Sequence, residues 1–559
     1  MRSSDIRPEP LERTIPGWWR GLTALHSERA LVRHEGRSDT FEEIERRSAA
    51  LARGLLAEGA GKGVRIGLLM PNSADWIVSF LAITRIGGIA VTLSTFLAAE
   101  ELRYAIQHAD VAILLSADRY LRHDYLGRLE EALPGLTGAD GQAPLALTAC
   151  PYLRGVWLVG TAAAPTWVRG RLGDLEDEGV ASETFSEALL AAVERLVSPA
   201  DRAMLIYTSG STSEPKGVLH THGTIVDKVA FMVRARWLTP WDITPDDRPI
   251  ITSPFFWIGG FLVLACAMTV GATVLCVDEH APEALIDVIR REGATQVSGQ
   301  VPSLRALAGS PQCEPGDLER LKPQNSVQRP FFNKDTAIAP SQFCNSLGMT
   351  ETFGPHSGQV TGEVLPHRLA NSFGLALGGM ELKIVDPVTR APLAAGDEGE
   401  LFVRGPWLMD GFYKRERREV FQPDGFYATG DKGVIDADGH LFYRGRLGGM
   451  IKTAGANVAP EEVEAAIRVH DAVVDVAVIG LPDEELGEMV VAVVAPKPGR
   501  RIDEHELKAR LRHQLSSFKV PKRFLFIDLD ELPLTPSNKI RKPALTQLIT
   551  KLLATAKNT

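Results

Sequence analysis

The segment Leu205–Val218, LIYTSGSTSEPKGV, is the stretch on which the reading of this chain turns. An apolar run, Ala203 to Tyr207, leads into it and reads as a buried strand; a second, Gly217 to His220, leads out. Between them, residues 208–212 hold four hydroxyl residues, Thr208, Ser209, Ser211 and Thr212, with Gly210 among them, and Pro215, Lys216 and Gly217 close the loop. A polar, glycine-containing loop between two strands can aim backbone N–H groups and hydroxyls at a polyanion, and Lys216 adds a point charge. This pattern suits a loop that holds nucleotide phosphates. A surface turn has the same composition, and the spacing G-x-x-x-x-G-K-[ST] is absent, so composition alone does not choose.

Upstream, the chain alternates in type. Arg29–Glu35 reads as a short strand. Thr40, with Glu43 three residues on, is a capping-box pattern that opens a helix carrying Ile44, Ala49, Leu51, Leu55 and Leu56. Val64–Met70 reads as a buried strand stopped by Pro71-Asn72, Ala74–Ile86 as a helix ended by Gly87-Gly88, and Ile89–Leu93 as another strand. Strand–helix alternation implies a parallel sheet with helices on its faces. Residues 134–150, rich in glycine, alanine and proline, read as a loop, and Thr184–Leu196 as a helix.

Length and composition narrow the classes. A chain of 559 residues exceeds one core, so at least two domains are expected. A net charge of −9 argues against a general nucleic-acid binder. The five cysteines (Cys150, Cys266, Cys276, Cys313, Cys344) show no metal-ligand spacing and read as buried thiols of a reducing compartment. The N-terminal residues contain no apolar leader pattern, and a cytoplasmic location is expected. Phe255–Val277 carries no charge over 23 residues, long enough to span a bilayer. Gly259-Gly260 and Gly271 interrupt it, so it reads as a buried helix followed by a strand, with no membrane span.

The order Tyr-Thr-Ser-Gly-Ser-Thr-Ser-Glu-Pro-Lys-Gly, residues 207–217, resembles the signature loop of the adenylate-forming superfamily, which includes acyl-CoA synthetases, peptide-synthetase adenylation domains and luciferases. Ser213 stands where that family usually has glycine. Further matches follow in the family's order. Gly348-Met-Thr350-Glu351 is similar to the aromatic-Gly-x-Thr-Glu motif, with Leu347 in place of the aromatic residue. The resemblance implies that Thr350 bonds phosphate and that Glu351 holds Mg²⁺, a hard cation suited to carboxylate oxygen. Thr429-Gly430-Asp431 matches the motif whose Asp accepts both ribose hydroxyls, and Arg446 would face ribose and phosphates. Thr208, Ser209, Gly210, Ser211, Thr212 and Lys216 would bind ATP. In the segment ITSPFFWIGG, Trp257 occupies a position where a His is common and, with Gly348, is assigned to the acyl pocket. Plain core packing is the competing reading of Trp257. The family's adenine-contacting Gly-Gly-Ala-Pro turn has no counterpart between Leu318 and Phe343, which contains no glycine.

The implied fold is α/β: a large N-terminal domain of parallel α/β subdomains plus a small β subdomain, residues 1–446, followed by a mobile α+β domain, residues 450–559. Gly399–Gly405 and Gly411–Tyr413 read as part of the β subdomain, and Asp436–Gly439 as a structural hairpin turn. The hinge, 447–449, carries Gly448-Gly449 where the family usually has charged residues. In the small domain a helix is expected from Pro460, Gly455 matches the loop lining the pantetheine tunnel, and Lys539 matches the late catalytic lysine, preceded by Asn538 in place of a glycine. The implied activity joins a hydrophobic carboxylic acid to coenzyme A in two steps through acyl-AMP, using ATP and Mg²⁺, with Lys539, Thr350 and Glu351 as catalytic groups. Two other readings stay open: an enzyme that adenylates but hands its acyl group to a partner protein, and a non-catalytic nucleotide-binding relative.

Overall fold

A computed structural model describes residues 12–208, 215–235, 243–298, 306–322, 346–358, 366–369, 371–447, 449–483, 485–497, 499–528, 531–533 and 544–550. The chain forms two compact units. The first comprises residues 1–95, 105–207 and 217–445; the second comprises 96–104, 208–216 and 446–559.

The strand leading into the opening segment, Arg202–Thr208, lies inside an eight-stranded sheet. Its neighbour is Ile89–Thr92, followed by Arg65–Leu69, Ile113–Ala117, Gly155–Val159 and Gly170–Arg171, and these pairings are parallel. Four of those strands are apolar at nearly every position because helices cover both faces, as a parallel sheet requires. The helix Phe41–Ala57 begins as its capping box predicts: Thr40 Oγ1 accepts from the Glu43 N–H and Glu43 Oε2 accepts from the Thr40 N–H. The helices Ala74–Arg85 and Glu187–Arg195 and the strand Ala30–His34 also lie where the pattern places them, each trimmed by a few residues at its ends.

A second, five-stranded sheet runs in the order Gln296–Ser298, Pro249–Ile251, Val274–Leu275, Ala30–His34, Arg37–Thr40. The uncharged run resolves into the helix Ile258–Val270, closed by Gly271 at φ 76°, and the strand Val274–Leu275. Among the described residues no helix is long and apolar enough to cross a membrane. That helix is buried along most of its length, and Phe261 joins an aromatic cluster with Phe80 (ring centroids 5.0 Å) and Trp76 (6.2 Å).

The β subdomain is a four-stranded sheet: Glu381–Val385, Glu398–Arg404, Tyr427–Ile435 and Leu441–Arg446. One expectation is corrected here. Gly411-Phe412 does not belong to it; Phe412 pairs with Val218 and forms the antiparallel edge of the eight-stranded sheet. The two apolar residues Met409 and Phe412 pack on Val218, which outweighs their proximity in sequence to the β subdomain.

The second unit contains the hairpin Ile451–Thr453/Ala456–Val458, the helix Pro460–Arg468 and the long antiparallel pair Val473–Asp483/Gly487–Pro496. Helices pack on both faces of its sheet, with Val463, Ile467, Leu507 and Leu511 on one and Leu545 and Ile549 on the other. Within this unit Lys519 Nζ is buried between Glu101 Oε1 (2.6 Å) and Glu462 Oε1 (2.7 Å), and Ser516 Oγ donates to Glu101 Oε2 (2.6 Å). Two carboxylates around one ammonium satisfy a charge that burial otherwise penalises. Cys150, Cys266 and Cys276 are buried free thiols and Cys313 is half-buried; Cys344 lies outside the described residues.

Candidate active site

In the first unit the site is built on a tight hairpin. Leu347–Met349 pairs antiparallel with Gly354–Gly358, and a single turn of helix, Thr350–Thr352, fills the bend. Phe353 at φ 48° and Gly354 at φ 98° reverse the chain. Gly348 has to be glycine, since a Cβ there would lie 2.5 Å from the Gly354 carbonyl carbon. Thr352 Oγ1 donates to the Gly354 carbonyl (2.8 Å) and locks the bend.

Glu351 is held from both sides. Its carbonyl accepts the Met409 N–H (2.7 Å), and its carboxylate Oε1 accepts a long hydrogen bond from Tyr427 Oη (3.4 Å). The carbonyl of Thr350 accepts from the Phe353 N–H (3.0 Å) and from His220 Nε2 (2.8 Å). His220 is fully buried, its ring edge-on to Phe353 (4.7 Å). Burial pushes the imidazole down to about 4, so it is neutral at pH 7 and carries its proton on Nε2. The role of His220 was not foreseen from sequence; its signal was a histidine inside the apolar exit strand Lys216–Thr221.

Asp431 lies on Tyr427–Ile435, the strand that also supplies Tyr427. The register with Glu398–Arg404 slips here: Glu400 pairs with Lys432 and Phe402 with Ala428, so Thr429, Gly430 and Asp431 bulge opposite Leu401. Gly430 takes φ 72° in the bulge, and its N–H donates to Glu400 Oε1 (3.2 Å). Thr429 Oγ1 donates to the Leu401 carbonyl (2.8 Å) and accepts from the Asp431 N–H (3.0 Å). A bulge re-aims one side chain without ending the strand, and here the side chain is a buried carboxylate.

Trp257 caps the N-terminus of the helix Ile258–Val270 and is half-buried, edge-on to Phe256 (5.6 Å). This helix packs on the hairpin: a Cβ on Gly354 would lie 2.4 Å from Leu262 Cδ1. Trp257, Gly348, Thr350, Glu351 and Asp431 therefore belong to one unit, with Tyr427 and Gly354 as the links between their elements.

In the second unit, Thr208 and Lys216 flank the segment 209–214. Ser209, Gly210, Ser211, Thr212 and Ser213 lie outside the described residues, as do Gly448, Asn538, Lys539 and most of the stretch between Leu318 and Phe343. Tyr104 Oη donates to the Pro215 carbonyl (3.2 Å). Arg446 ends the strand Leu441–Arg446. Gly449 takes φ 67° and Gly455 φ 80°, both in the left-handed region that favours glycine. Gly455 turns the hairpin Ile451–Val458, and the Ala454 N–H donates to the Leu486 carbonyl (2.8 Å). Asp436 accepts N–H bonds from Asp438 and His440 within the hairpin turn, which matches its structural reading.

The parallel α/β core, the Thr-Glu hairpin and the bulged Asp strand stand in the chain order that the resemblance to the adenylate-forming superfamily implies. Comparison with known proteins is consistent. The family model described as AMP-binding enzyme matches residues 21–413, and that of the AMP-binding enzyme C-terminal domain matches residues 462–539. The chain is 30% identical over 556 residues to the 3-[(3aS,4S,7aS)-7a-methyl-1,5-dioxo-octahydro-1H-inden-4-yl]propanoyl:CoA ligase of Mycobacterium tuberculosis, covering 96% of this chain and 99% of the relative. It is 30% identical over 529 residues to a feruloyl-CoA synthase of Amycolatopsis, covering 91% and 94%. The crystal structure of ATP-bound MatB from Rhodopseudomonas palustris superposes with a TM-score of 0.62 at 26% identity, covering 96% and 99%. The chain belongs to the AMP-binding enzyme family. Within it, the chain is an acyl-CoA synthetase, an AMP-forming ligase that uses ATP to join a carboxylic acid to coenzyme A.

Proposed function

We propose that the acid is hydrophobic and ring-bearing, and that the residues singled out above divide the two half-reactions between them. The observation that carries the proposal is the packing of the Thr350–Glu351 hairpin directly on the apolar helix Ile258–Val270. A carboxylate presented to the phosphate from that side has its carbon skeleton against hydrocarbon, where burial of apolar surface contributes about 25 cal/mol per Å². The relatives named for a bicyclic dione propanoate and for ferulate support an acid of that kind.

In the first half-reaction a carboxylate oxygen attacks the α-phosphorus of ATP and the bond to pyrophosphate breaks. Attack of one anion on another needs positioning and charge neutralisation more than proton transfer. Thr208, Ser209, Gly210, Ser211, Thr212 and Lys216 are assigned to the phosphates, Thr350 likewise to phosphate, and Arg446 to ribose and phosphate. Asp431 is assigned to the vicinal ribose hydroxyls, since one carboxylate accepts two hydrogen bonds at once. Glu351 fits Mg²⁺, because a single buried carboxylate matches a hard cation that takes its other ligands from phosphate oxygens and water. When bound, the ion supplies positive charge at those oxygens. Lys539 is assigned to the carboxylate and α-phosphate. Trp257 and Gly348 are assigned to the acyl pocket.

In the second half-reaction the thiol sulfur attacks the acyl carbon, AMP departs with the bonding pair, and the thiol proton passes to solvent. Gly455 is assigned to the pantetheine path. The proposed division is 1–446 for adenylation, 447–449 as hinge and 450–559 as the lid bearing Lys539. Hydroxylamine trapping with and without coenzyme A tests this. A panel of aliphatic, aromatic and polycyclic acids is expected to give acyl hydroxamate in the absence of coenzyme A and thioester in its presence, highest with ring-bearing acids. Equal rates for short aliphatic acids would overturn the substrate class; trapping without thioester would favour transfer to a partner protein.

A further inference from the structure

The first unit carries a cluster of metal-type ligands that the chemistry above does not use. The strands Ala30–His34 and Val274–Leu275 run parallel, with Arg33 opposite Leu275 and the Cys276 N–H donating to the Arg33 carbonyl (2.9 Å). Parallel strands finish on the same side of a sheet, so His34 and Asp278 meet there: His34 Nε2 lies 3.1 Å from Asp278 Oδ1. The chain turns back directly after His34, at Glu35 (φ 48°) and Gly36 (φ 79°). The turn brings the Glu35 carboxyl within hydrogen-bond reach of the Asp278 carboxylate. A ring nitrogen of His34 and an oxygen each of Glu35 and Asp278 all lie within 4.8 Å of one another. Tyr120 Oη donates to the Asp278 carbonyl (2.8 Å), which fixes the backbone behind that carboxylate.

Charge and geometry both set this cluster apart from an ordinary ion pair. Two carboxylates beside one imidazole leave a negative charge uncompensated even when the ring is protonated. Like charges at this range repel, more strongly where water is partly excluded, and His34 and Asp278 are both half-buried. Asp75, whose charge also bears on His34, is already paired with Arg47 (2.6 Å). A divalent cation held by the three groups cancels the excess. Four-coordinate zinc, with ligands at 2.0–2.2 Å, sets its ligand atoms about 3.3 Å apart. The separation of His34 Nε2 and Asp278 Oδ1 is close to that, and the exposed Glu35 side chain is free to close the remaining distance. Among the described residues one other grouping has similar donors, Asp436, Asp438 and His440. Its oxygens are engaged: Asp436 Oδ1 accepts two N–H bonds of its own turn, and Asp438 pairs with Arg368 (2.9 Å).

We propose that His34, Glu35 and Asp278 bind one divalent transition-metal ion of the zinc class, with water completing its coordination. One imidazole nitrogen and two carboxylate oxygens suit Zn²⁺, whereas Mg²⁺ and Ca²⁺ favour all-oxygen donor sets. The ion ties together two strand ends that lie 244 residues apart in the chain. An ion that binds the folded chain and not the unfolded one stabilises the fold, so the site is a structural staple on the five-stranded sheet. The inference is independent of the ligase reading, since none of the three residues is assigned to either half-reaction.

Titration calorimetry of the full-length chain, stripped with EDTA and dialysed, tests this with zinc chloride, magnesium chloride and calcium chloride in parallel. The wild-type protein is expected to take up one Zn²⁺ at this site, to bind Mg²⁺ and Ca²⁺ far more weakly, and to unfold at a higher temperature with zinc than without. Glu35→Gln, Asp278→Asn and His34→Gln should each weaken zinc binding by about 100-fold or more, since loss of a group merely supporting a ligand already costs about 10- to 100-fold. The zinc-dependent rise in Tm should vanish with it. Glu35 lies on an exposed turn, so Glu35→Gln keeps the test decisive even where another variant fails to fold. No zinc uptake by the wild-type chain at a large molar excess overturns the inference and leaves His34 and Asp278 as an ion pair only. Uptake that is equal in wild type and Glu35→Gln places the ion elsewhere and also overturns it. Zinc affinity retained in His34→Gln, or matched by magnesium or calcium, overturns the choice of a transition metal.

Discussion

Replacing His220 with phenylalanine should change the sign of its effect on stability between pH 7 and pH 5. The phenyl ring keeps the edge-on contact with Phe353 and removes the hydrogen bond to the Thr350 carbonyl. That carbonyl keeps its second donor, the Phe353 N–H, so the loss at pH 7 is that of one neutral hydrogen bond, about 1 kcal/mol. At lower pH the imidazole becomes a liability. Its folded value, about 4, lies below the unfolded 6.5, so between those values the unfolded chain binds a proton that the folded chain refuses. The wild-type protein therefore loses stability as pH falls through that window, by about 2 kcal/mol at pH 5 for this one group. Phenylalanine carries no such proton. The variant should be about 1 kcal/mol less stable than wild type at pH 7 and about 1 kcal/mol more stable at pH 5. Urea midpoints and slopes of both proteins at the two pH values measure this. An unchanged difference at pH 7 and pH 5 would show that His220 titrates normally, and the reasoning from its burial would fail.

Three further outcomes are expected. Asp431→Asn should raise KM for ATP by roughly 10- to 100-fold, the scale of a hydrogen bond to a charged group, with thermal stability little changed; an unaltered KM removes Asp431 from the ribose site. Gly348→Ala places a methyl 2.5 Å from the Gly354 carbonyl carbon, so the hairpin must open and acyl-AMP formation should fall more than tenfold; wild-type hydroxamate yield would show that the hairpin does not position Thr350 and Glu351. Lys539→Ala should abolish trapping of acyl-AMP while ATP still binds in equilibrium dialysis, and adenylation at the wild-type rate would remove Lys539 from the first half-reaction.

The family, the α/β class and the order of the motifs were legible in the sequence because each rests on local chemistry. Thr40 and Glu43 cap a helix through bonds three residues apart, and Gly271, in a left-handed turn, ends the helix of the uncharged run after 13 residues, short of the length of a bilayer. Each of these is decided within one or two turns of chain. Gly411-Phe412 was misplaced for the opposite reason: its partner, Val218, lies almost two hundred residues upstream, and only the packing of Met409 and Phe412 on that strand assigns it.

The site divides along the same line. Thr350, Glu351 and Asp431 could be named from motifs, but the way they are held depends on long-range contacts: His220 under Thr350, Tyr427 on Glu351, and a slipped register against Leu401 that turns Asp431. Lys228 and His356, both fully buried, show the limit most clearly. In sequence they are an ordinary lysine on an amphipathic helix and a histidine after a proline. Whether such groups face water or hydrocarbon is settled by what surrounds them in space, and here it is Trp407, Phe231 and a helix without a single charge. The sequence by itself determined which chemistry the chain carries, since motifs are made of neighbours. Tertiary structure alone decided which polar groups lost their water, because burial is a property of the whole fold.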